Sequence, residues 1–284
     1  MARMSWREAC QLDNSLTALE RFFTVPPDYA QTLTGGLTNR CWKVVAANGD
    51  AYVWRPTTPI TQAFSISRFQ EYQILSAIHD SGLSPQAVFI CDKGLLVEWL
   101  AGNSLTETLS FEQLLAALVA VHQLSTARLP VAPFNFTARV DHYWMQLKPE
   151  LKTQDYEMVY REWRNAPSLA DVGHTLCHFD LAGYNMVQGT DKLQIIDWEY
   201  ATIGDPRLDL CLSIDVAGVD EMAAIQRYCQ SRNLEGIDDW FEGVRAWRPR
   251  ANMMAMLWYL LAFQLWGDDY YLHQAEQLKQ QFCT

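Results

Sequence analysis

Strand signals crowd the first third of this 284-residue chain, and helical periodicity fills most of the remainder. That order narrows the fold, because runs of strands followed by runs of helices pack as α+β, whereas a parallel sheet needs the two to alternate. Residues 29–56 read as strands: Thr34-Gly35-Gly36-Leu37 marks a turn, Cys41-Trp42-Lys43-Val44-Val45 alternates toward Asn48-Gly49, and Ala51-Tyr52-Val53-Trp54-Arg55 returns. Asn-Gly is the strongest short hairpin signal, since both residues accept the left-handed backbone of a two-residue turn. Gln86–Cys91 and Leu95–Trp99 form a second hairpin about Asp92-Lys93-Gly94. Before it, Pro56 and Pro59 bracket a loop, after which a helix of about twenty residues is predicted to end near Gly82, and residues 5–22 read as another, broken by Pro26-Pro27. From Phe111 onward the pattern is helical except over 174–200, and the change of character falls near Ala101-Gly102.

Composition removes several classes of function. With 49% apolar and 19% charged residues the chain is globular, neither disordered nor fibrous. A net charge of −11 argues against nucleic-acid binding by phosphate neutralisation. Residues 1–100 carry 8 basic and 9 acidic side chains, and the rest carry 14 and 24. The acidic second part serves solubility and would also suit a cationic substrate. Seven cysteines, an odd number without a CxxC pair, predict reduced thiols and a cytoplasmic protein. The opening MARMSWREACQLD has no apolar core of a signal peptide, and the apolar run Met253–Leu265 is too short for a bilayer and reads as a buried helix. No membrane, nucleic-acid or obligate protein partner is expected.

The chemistry concentrates in His174-Thr-Leu-Cys-His178-Phe-Asp180-Leu-Ala-Gly-Tyr-Asn185, followed by Leu193-Gln-Ile-Ile-Asp197-Trp-Glu199-Tyr. The spacing is H-x-D-x4-N, a short hairpin, then an apolar strand ending in Asp. Phosphoryl transfer asks for a carboxylate to take the proton of an attacking hydroxyl. It also asks for an amide oxygen and a second carboxylate to hold Mg²⁺ between phosphates. Asp180, Asn185 and Asp197 are those types in that order. His178 reads as a structural histidine bracing the loop.

These motifs, with Gly35-Gly36-Leu37-Thr38-Asn39 and Gly204-Asp205-Pro206-Arg207-Leu208-Asp209-Leu210, resemble those of the choline/ethanolamine kinase and aminoglycoside phosphotransferase superfamily. Its closest likeness is to choline-kinase-like and thiamine-kinase-like members. The resemblance covers roughly residues 30–215. It implies an α+β, bilobal, protein-kinase-like fold, with a small antiparallel-sheet N-lobe over 1–100 and a larger, mainly helical C-lobe over 101–284. It implies ATP and Mg²⁺, with Asp180 as the catalytic carboxylate, Asn185 and Asp197 as metal ligands, and Asp209 bracing the catalytic loop.

The first third can be matched to that reading. A kinase needs a cation on a central strand to grip phosphates and a carboxylate on the neighbouring helix to hold it. Arg55 is the cation, and Glu71, which shares a helical face with Phe64, Ile74, Leu75 and Ile78, is its partner. A carboxylate on an apolar face needs such a partner. Arg in this place, instead of Lys, is similar to choline-kinase and thiamine-kinase relatives. Gly35, Gly36, Thr38 and Asn39 are expected over the phosphates, and Glu98 and Leu100 beside adenine. The substrate is expected to be a small cationic alcohol, choline or thiamine, held by Glu199 and by late aromatics, in the order Trp247, Trp258, Trp266. A quaternary cation is attracted to the face of an indole ring. An aminoglycoside phosphotransferase is the first alternative, and a catalytically inactive kinase-fold binding protein the second.

Overall fold

The computed structural model describes residues 3–33 and 41–282. The chain opens with helix α1 (Trp6–Leu12) and a 3-10 helix (Asn14–Arg21). The single helix predicted over 5–22 divides at Asp13. Its carboxylate accepts the Ser15 N–H at 2.9 Å and the Trp42 indole N–H at 2.9 Å, so one side chain both caps the start of the 3-10 helix and pins the junction to the sheet.

Strands β1 (Tyr29–Thr32), β2 (Trp42–Val45), β3 (Ala51–Pro56), β4 (Ala87–Cys91) and β5 (Gly94–Glu98) form one antiparallel sheet in the order β1-β2-β3-β5-β4. Alternation along β3 decides what each face carries. Trp54 points to the side covered by Leu16, Leu19, Trp42 and Leu96, while Val53 and Leu95 face the main core. Arg55, one residue on from Trp54, therefore belongs to the second face, toward the helix that follows.

That helical stretch is two helices, α2 (Pro59–Ala63) and α3 (Arg68–Ile78), where one helix to Gly82 was expected. Ser65 takes a left-handed backbone (φ 58°), and the Ser67 hydroxyl caps α3 by accepting from the Gln70 N–H. The break turns Phe64 inward, where it is fully buried with its ring 5.0 Å from Trp258 and 5.6 Å from Trp266. A continuous helix would carry Phe64 past that contact. Its burial outweighs the lost helical turn.

After β6 (Asn103–Ser104) come α4 (Phe111–His122), α5 (Phe136–Gln146) and α6 (Gln154–Trp163). The segment predicted to interrupt the helices does so with β7 (Thr175–Cys177), β8 (Met186–Gln188), β9 (Leu193–Ile195) and β10 (Thr202–Gly204). β8 lies between β6 and β9, and β10 pairs with β7. Then follow α7 (Pro206–Ala217), α8 (Glu221–Arg232), α9 (Ile237–Trp266) and α10 (Asp269–Gln280). The buried helix expected over Met253–Leu265 is the second half of α9, with Met253, Met256, Leu257, Leu260 and Leu261 all buried at helical spacing. Among the described residues no helix is long and apolar enough to cross a membrane. The architecture is α+β and bilobal, with a deep cleft beside the sheet.

Gly94 shows how tightly the sheet positions Arg55. A Cβ at Gly94 would lie 2.5 Å from the Arg55 carbonyl oxygen and 2.9 Å from the Pro56 Cα. Gly94→Ala is expected to lower stability by about 1–3 kcal/mol, as overpacking against rigid backbone does. Urea unfolding measures it, and an unchanged midpoint contradicts the clash.

Candidate active site

A cavity of about 800 Å³ runs from the sheet to α9. Its walls include Arg55, Glu71, Glu98, Trp99 and Leu100 on one side and Asp180, Asn185, Asp197, Glu199 and Trp258 on the other. That volume holds a nucleotide and a small second ligand.

Where the sheet meets the segment after β9, five charged side chains gather. Arg55 Nε lies 2.9 Å from Glu71 Oε1, so the predicted pair is present. The same guanidinium reaches farther: its Nη2 donates to Asp197 Oδ1 and, at 3.0 Å, to Glu199 Oε2. Arg68, one turn before Glu71 on α3, binds Glu71 Oε2 at 2.5 Å and Glu199 Oε2 at 3.0 Å. Arg68 escaped the sequence reading, although an Arg three residues before a Glu on one helical face was a readable signal. Glu199, expected against the substrate, lines the cavity with its carboxylate engaged by both guanidiniums.

The electrostatics follow from this packing. Burial works against charge on Asp197, but Arg55 and Arg68 outweigh it and hold its carboxyl below the ordinary value. Glu199 goes the other way, raised by burial and then by the negative charge of Asp197. Asp197 itself has φ 64°, a left-handed backbone that Asp tolerates, and it caps a 3-10 turn over Trp198–Tyr200. The apolar strand thus ends at Ile195, two residues short of the expected Asp197. The intervening turn aims the carboxylate into the cleft.

Asp180 sits on the loop after β7. Its Oδ1 accepts from the Tyr184 hydroxyl at 2.6 Å and its Oδ2 from the Asn185 amide at 3.0 Å. Burial pushes its carboxyl up to about 7, with the two hydrogen bonds acting in opposition. Asn185 Nδ2 also donates to the Asp180 carbonyl at 2.9 Å. The amide nitrogen is thereby committed, which leaves Oδ1 as the atom available to a cation. Together with the Asp197 carboxylate this is an all-oxygen donor pair, the chemistry that suits Mg²⁺.

The loop is held from below. The fully buried Asp209 on α7 accepts the His178 N–H at 2.8 Å and the Phe179 N–H at 2.9 Å, fixing Phe179 at φ 61°. Asp209 also contacts His122 Nε2 at 3.0 Å, His122 Nδ1 lies 2.6 Å from the Tyr228 hydroxyl, and Arg232 donates to that hydroxyl at 2.7 Å. Burial opposes charge on Asp209, yet the His122 hydrogen bond keeps its carboxyl below the usual range. His178 Nε2 reaches the Ile196 carbonyl at 3.1 Å, tying the loop to the residue before Asp197, and burial lowers the His178 pKa. Gly204 makes room for the arrangement, since a Cβ there would come 2.9 Å from the Phe179 ring.

The remaining expected residues separate. Glu98 and Leu100 line the cavity at the end of β5. The Glu98 N–H is taken by the Gln86 carbonyl and the Trp99 N–H by Ala51, and among the described residues the Leu100 N–H has no backbone partner. Gly35, Gly36, Thr38 and Asn39 lie outside the described residues, and the residues flanking that stretch, Leu33 and Cys41, both line the cavity. Of the three tryptophans, Trp258 lines the cavity, with its indole N–H donating to the Tyr200 hydroxyl at 2.9 Å. Trp247 is outside the cavity walls: it is buried against Phe136 and donates to Asp205 at 2.9 Å. Trp266 is also outside them, stacked on Phe64. On the long helix α9 Trp247 shares the face of Trp258 but lies eleven residues, about 16 Å, farther along the axis, whereas Trp266 is turned about 80° from it.

Comparison with known proteins points one way. The profile of a family described as phosphotransferase enzyme family matches residues 30–245. A thiamine kinase from Escherichia coli O17:K52:H18 is 24% identical over 264 residues, 91% of each chain. Among solved structures, a choline kinase from Streptococcus pneumoniae is similar, with a TM-score of 0.73, 20% identity and coverage of 93% of this chain and 96% of its own. A structure of that choline kinase in complex with AMP gives a TM-score of 0.74 at 20% identity, covering 93% of this chain and 95% of its own. An ethanolamine kinase from Plasmodium vivax has a TM-score of 0.71 at 16% identity, covering 98% and 89%.

Arg68→Leu would leave Glu71, Asp197 and Glu199 sharing one guanidinium. Removing one partner from a buried ionic set costs about 3–5 kcal/mol, less where the site is partly wet. A large drop in the urea midpoint is expected, and an unaltered midpoint shows that Arg55 alone suffices.

Proposed function

The chain belongs to the phosphotransferase enzyme family, and on that premise we propose that it transfers the γ-phosphoryl group of ATP to the hydroxyl of a small cationic alcohol, thiamine first and choline second. The observation that carries this reading is the convergence of Asp180, Asn185, Asp197 and Arg55 on one cavity from opposite walls.

Asp180 faces the cavity from a braced loop and takes the proton as the hydroxyl oxygen attacks the γ-phosphorus and the bond to the bridging oxygen breaks, releasing ADP. Asn185 Oδ1 and the Asp197 carboxylate would hold Mg²⁺, which when bound neutralises phosphate charge. Arg55 grips the phosphates and Glu71 orients it. Glu98 and Leu100 border the adenine, with Gly35, Gly36, Thr38 and Asn39 over the phosphates. The lobes divide at residues 100/101. The six cysteines among the described residues are free, which fits a reducing cytoplasm. Thiamine comes first because the thiamine kinase relatives match nearly the whole chain. An aminoglycoside fits less well, since several ammonium groups need several carboxylates. Outside the ion cluster, the described lining of the cavity offers two carboxylates, Asp180 and, at the end of β5, Glu98.

An ATP-consumption assay against thiamine, choline, ethanolamine, homoserine and kanamycin tests the reading. Thiamine turnover is expected, and fastest turnover of kanamycin or of none of the five opposes it. Asp180→Asn is expected to keep ATP binding and lose phosphorylation by about 100-fold or more, the usual contribution of a positioned acid–base group. Near-normal turnover removes Asp180 from that role. Asp197→Ala is expected to abolish productive Mg²⁺·ATP binding, and an unchanged Mg²⁺ titration removes Asp197 as a ligand.

A further inference from the structure

We propose that Arg139 is a recognition residue for the acceptor alcohol: it binds a hydrogen-bond acceptor at the far end of the substrate and excludes a bare quaternary ammonium alcohol. This rests on the reading of the cavity as a kinase site and names its substrate class more narrowly.

Arg139, on α5, lines the cavity beside Phe134, Tyr143 and Tyr200. Arg55, Arg68, Arg164, Arg207 and Arg248 all have carboxylate partners. Arg139 has none within ion-pair distance among the described residues. Its one hydrogen bond among the described residues is a long one, 3.4 Å to the Tyr143 hydroxyl. A guanidinium carries five N–H donors in a planar fork. Most of that capacity therefore points to whatever enters the cavity.

The surroundings sharpen the argument. The Arg139 guanidinium lies 5.5 Å from the Phe134 ring centroid, 5.9 Å from Tyr143 and 5.8 Å from Tyr200. Those are the distances at which an aromatic cage holds a cation. The protein's own cation fills the cage, so a trimethylammonium group directed there meets a like charge. Trp258, Tyr259 and Tyr270 also line the cavity, and among the described residues the Arg139 guanidinium lies over none of their rings. A substrate that satisfies both sets carries a hydroxyl for Asp180 and a second group that accepts hydrogen bonds from a guanidinium. A heteroaromatic ring nitrogen, as in the aminopyrimidine of thiamine, and a carboxylate, as in homoserine, share that chemistry. Choline lacks it.

The test uses the full-length protein and Arg139→Met, which keeps the apolar stem, beside Arg139→Lys, which keeps the charge without the fork. KM and kcat are measured for thiamine, homoserine and choline, and direct binding of each is followed by titration calorimetry. Arg139→Met is expected to raise KM and Kd for the preferred acceptor-bearing alcohol about ten-fold or more, the loss of one charge-assisted bond. KM for ATP should stay unchanged, and choline should bind more tightly because its cage is vacated. Arg139→Lys should still exclude choline. Thiamine or homoserine as the better wild-type ligand tells which acceptor is used. Equal weakening of choline and thiamine, or thiamine and homoserine binding indifferent to residue 139, overturns the proposal even if phosphorylation persists. Arg139-dependent binding without phosphorylation upholds it while the kinase reading fails. A melting temperature and ATP affinity matching wild type in either variant show that it is folded.

Discussion

Two guanidiniums and three carboxylates meet between the sheet, α3 and the turn after β9, and most of the molecule is arranged to let them meet. Their side chains are between 2% and 10% exposed apart from Asp197 at 28%. At such depth no single member is tolerable alone, because an uncompensated buried charge costs several kcal/mol. A buried set of this kind adds little net stability compared with apolar packing, but it specifies geometry closely. Arg55 must leave β3 on the face opposite Trp54, α3 must begin at Ser67 so that Arg68 and Glu71 point the same way, and the chain must turn left-handed at Asp197. The early end of β9 is one consequence.

A second anchor sits beneath the first. Asp209 holds two consecutive backbone N–H groups of the loop that bears Asp180, and it does so from a helix in the core. A positive φ at Phe179 costs about 1–3 kcal/mol for a non-glycine residue, so it persists only where the surroundings enforce it. The contacts through His122, Tyr228 and Arg232 extend that enforcement from α4 to the end of α8. The cavity is thereby built between two rigid supports, one ionic and one hydrogen-bonded to backbone.

Much of this was legible in the chain. Asn48-Gly49 and Asp92-Lys93-Gly94 give both hairpins because turn chemistry is local, and the Arg55–Glu71 pair follows from the rule that a carboxylate on an apolar face needs a partner. The H-x-D-x4-N spacing brings Asp180 and Asn185 into contact because only four residues of one loop separate them. What failed to show depends on distant packing. The helix break at Ser65 is decided by where Phe64 finds Trp258, 194 positions later. Trp247 and Trp266 could not be told from Trp258, since aromatic content says nothing of helical phase or axial position against a cleft. Arg139 carries no motif at all. Its position over three rings depends on how α5 docks beside the Phe134 and Tyr200 segments.

The ionic cluster also has a history written into its order along the chain. Arg55 lies 142 residues before Asp197 and 144 before Glu199. A contact spanning that distance cannot form until nearly three quarters of the polypeptide exists, and closing so large a loop is among the slower events of folding. During synthesis Arg55, Arg68 and Glu71 emerge together, two cations with one anion. When Asp197 and Glu199 arrive the balance passes from one positive charge in excess to one negative. The cleft changes sign as the chain is completed, so the early sheet and helix carry an electrostatic attraction toward the very segment that will close the site.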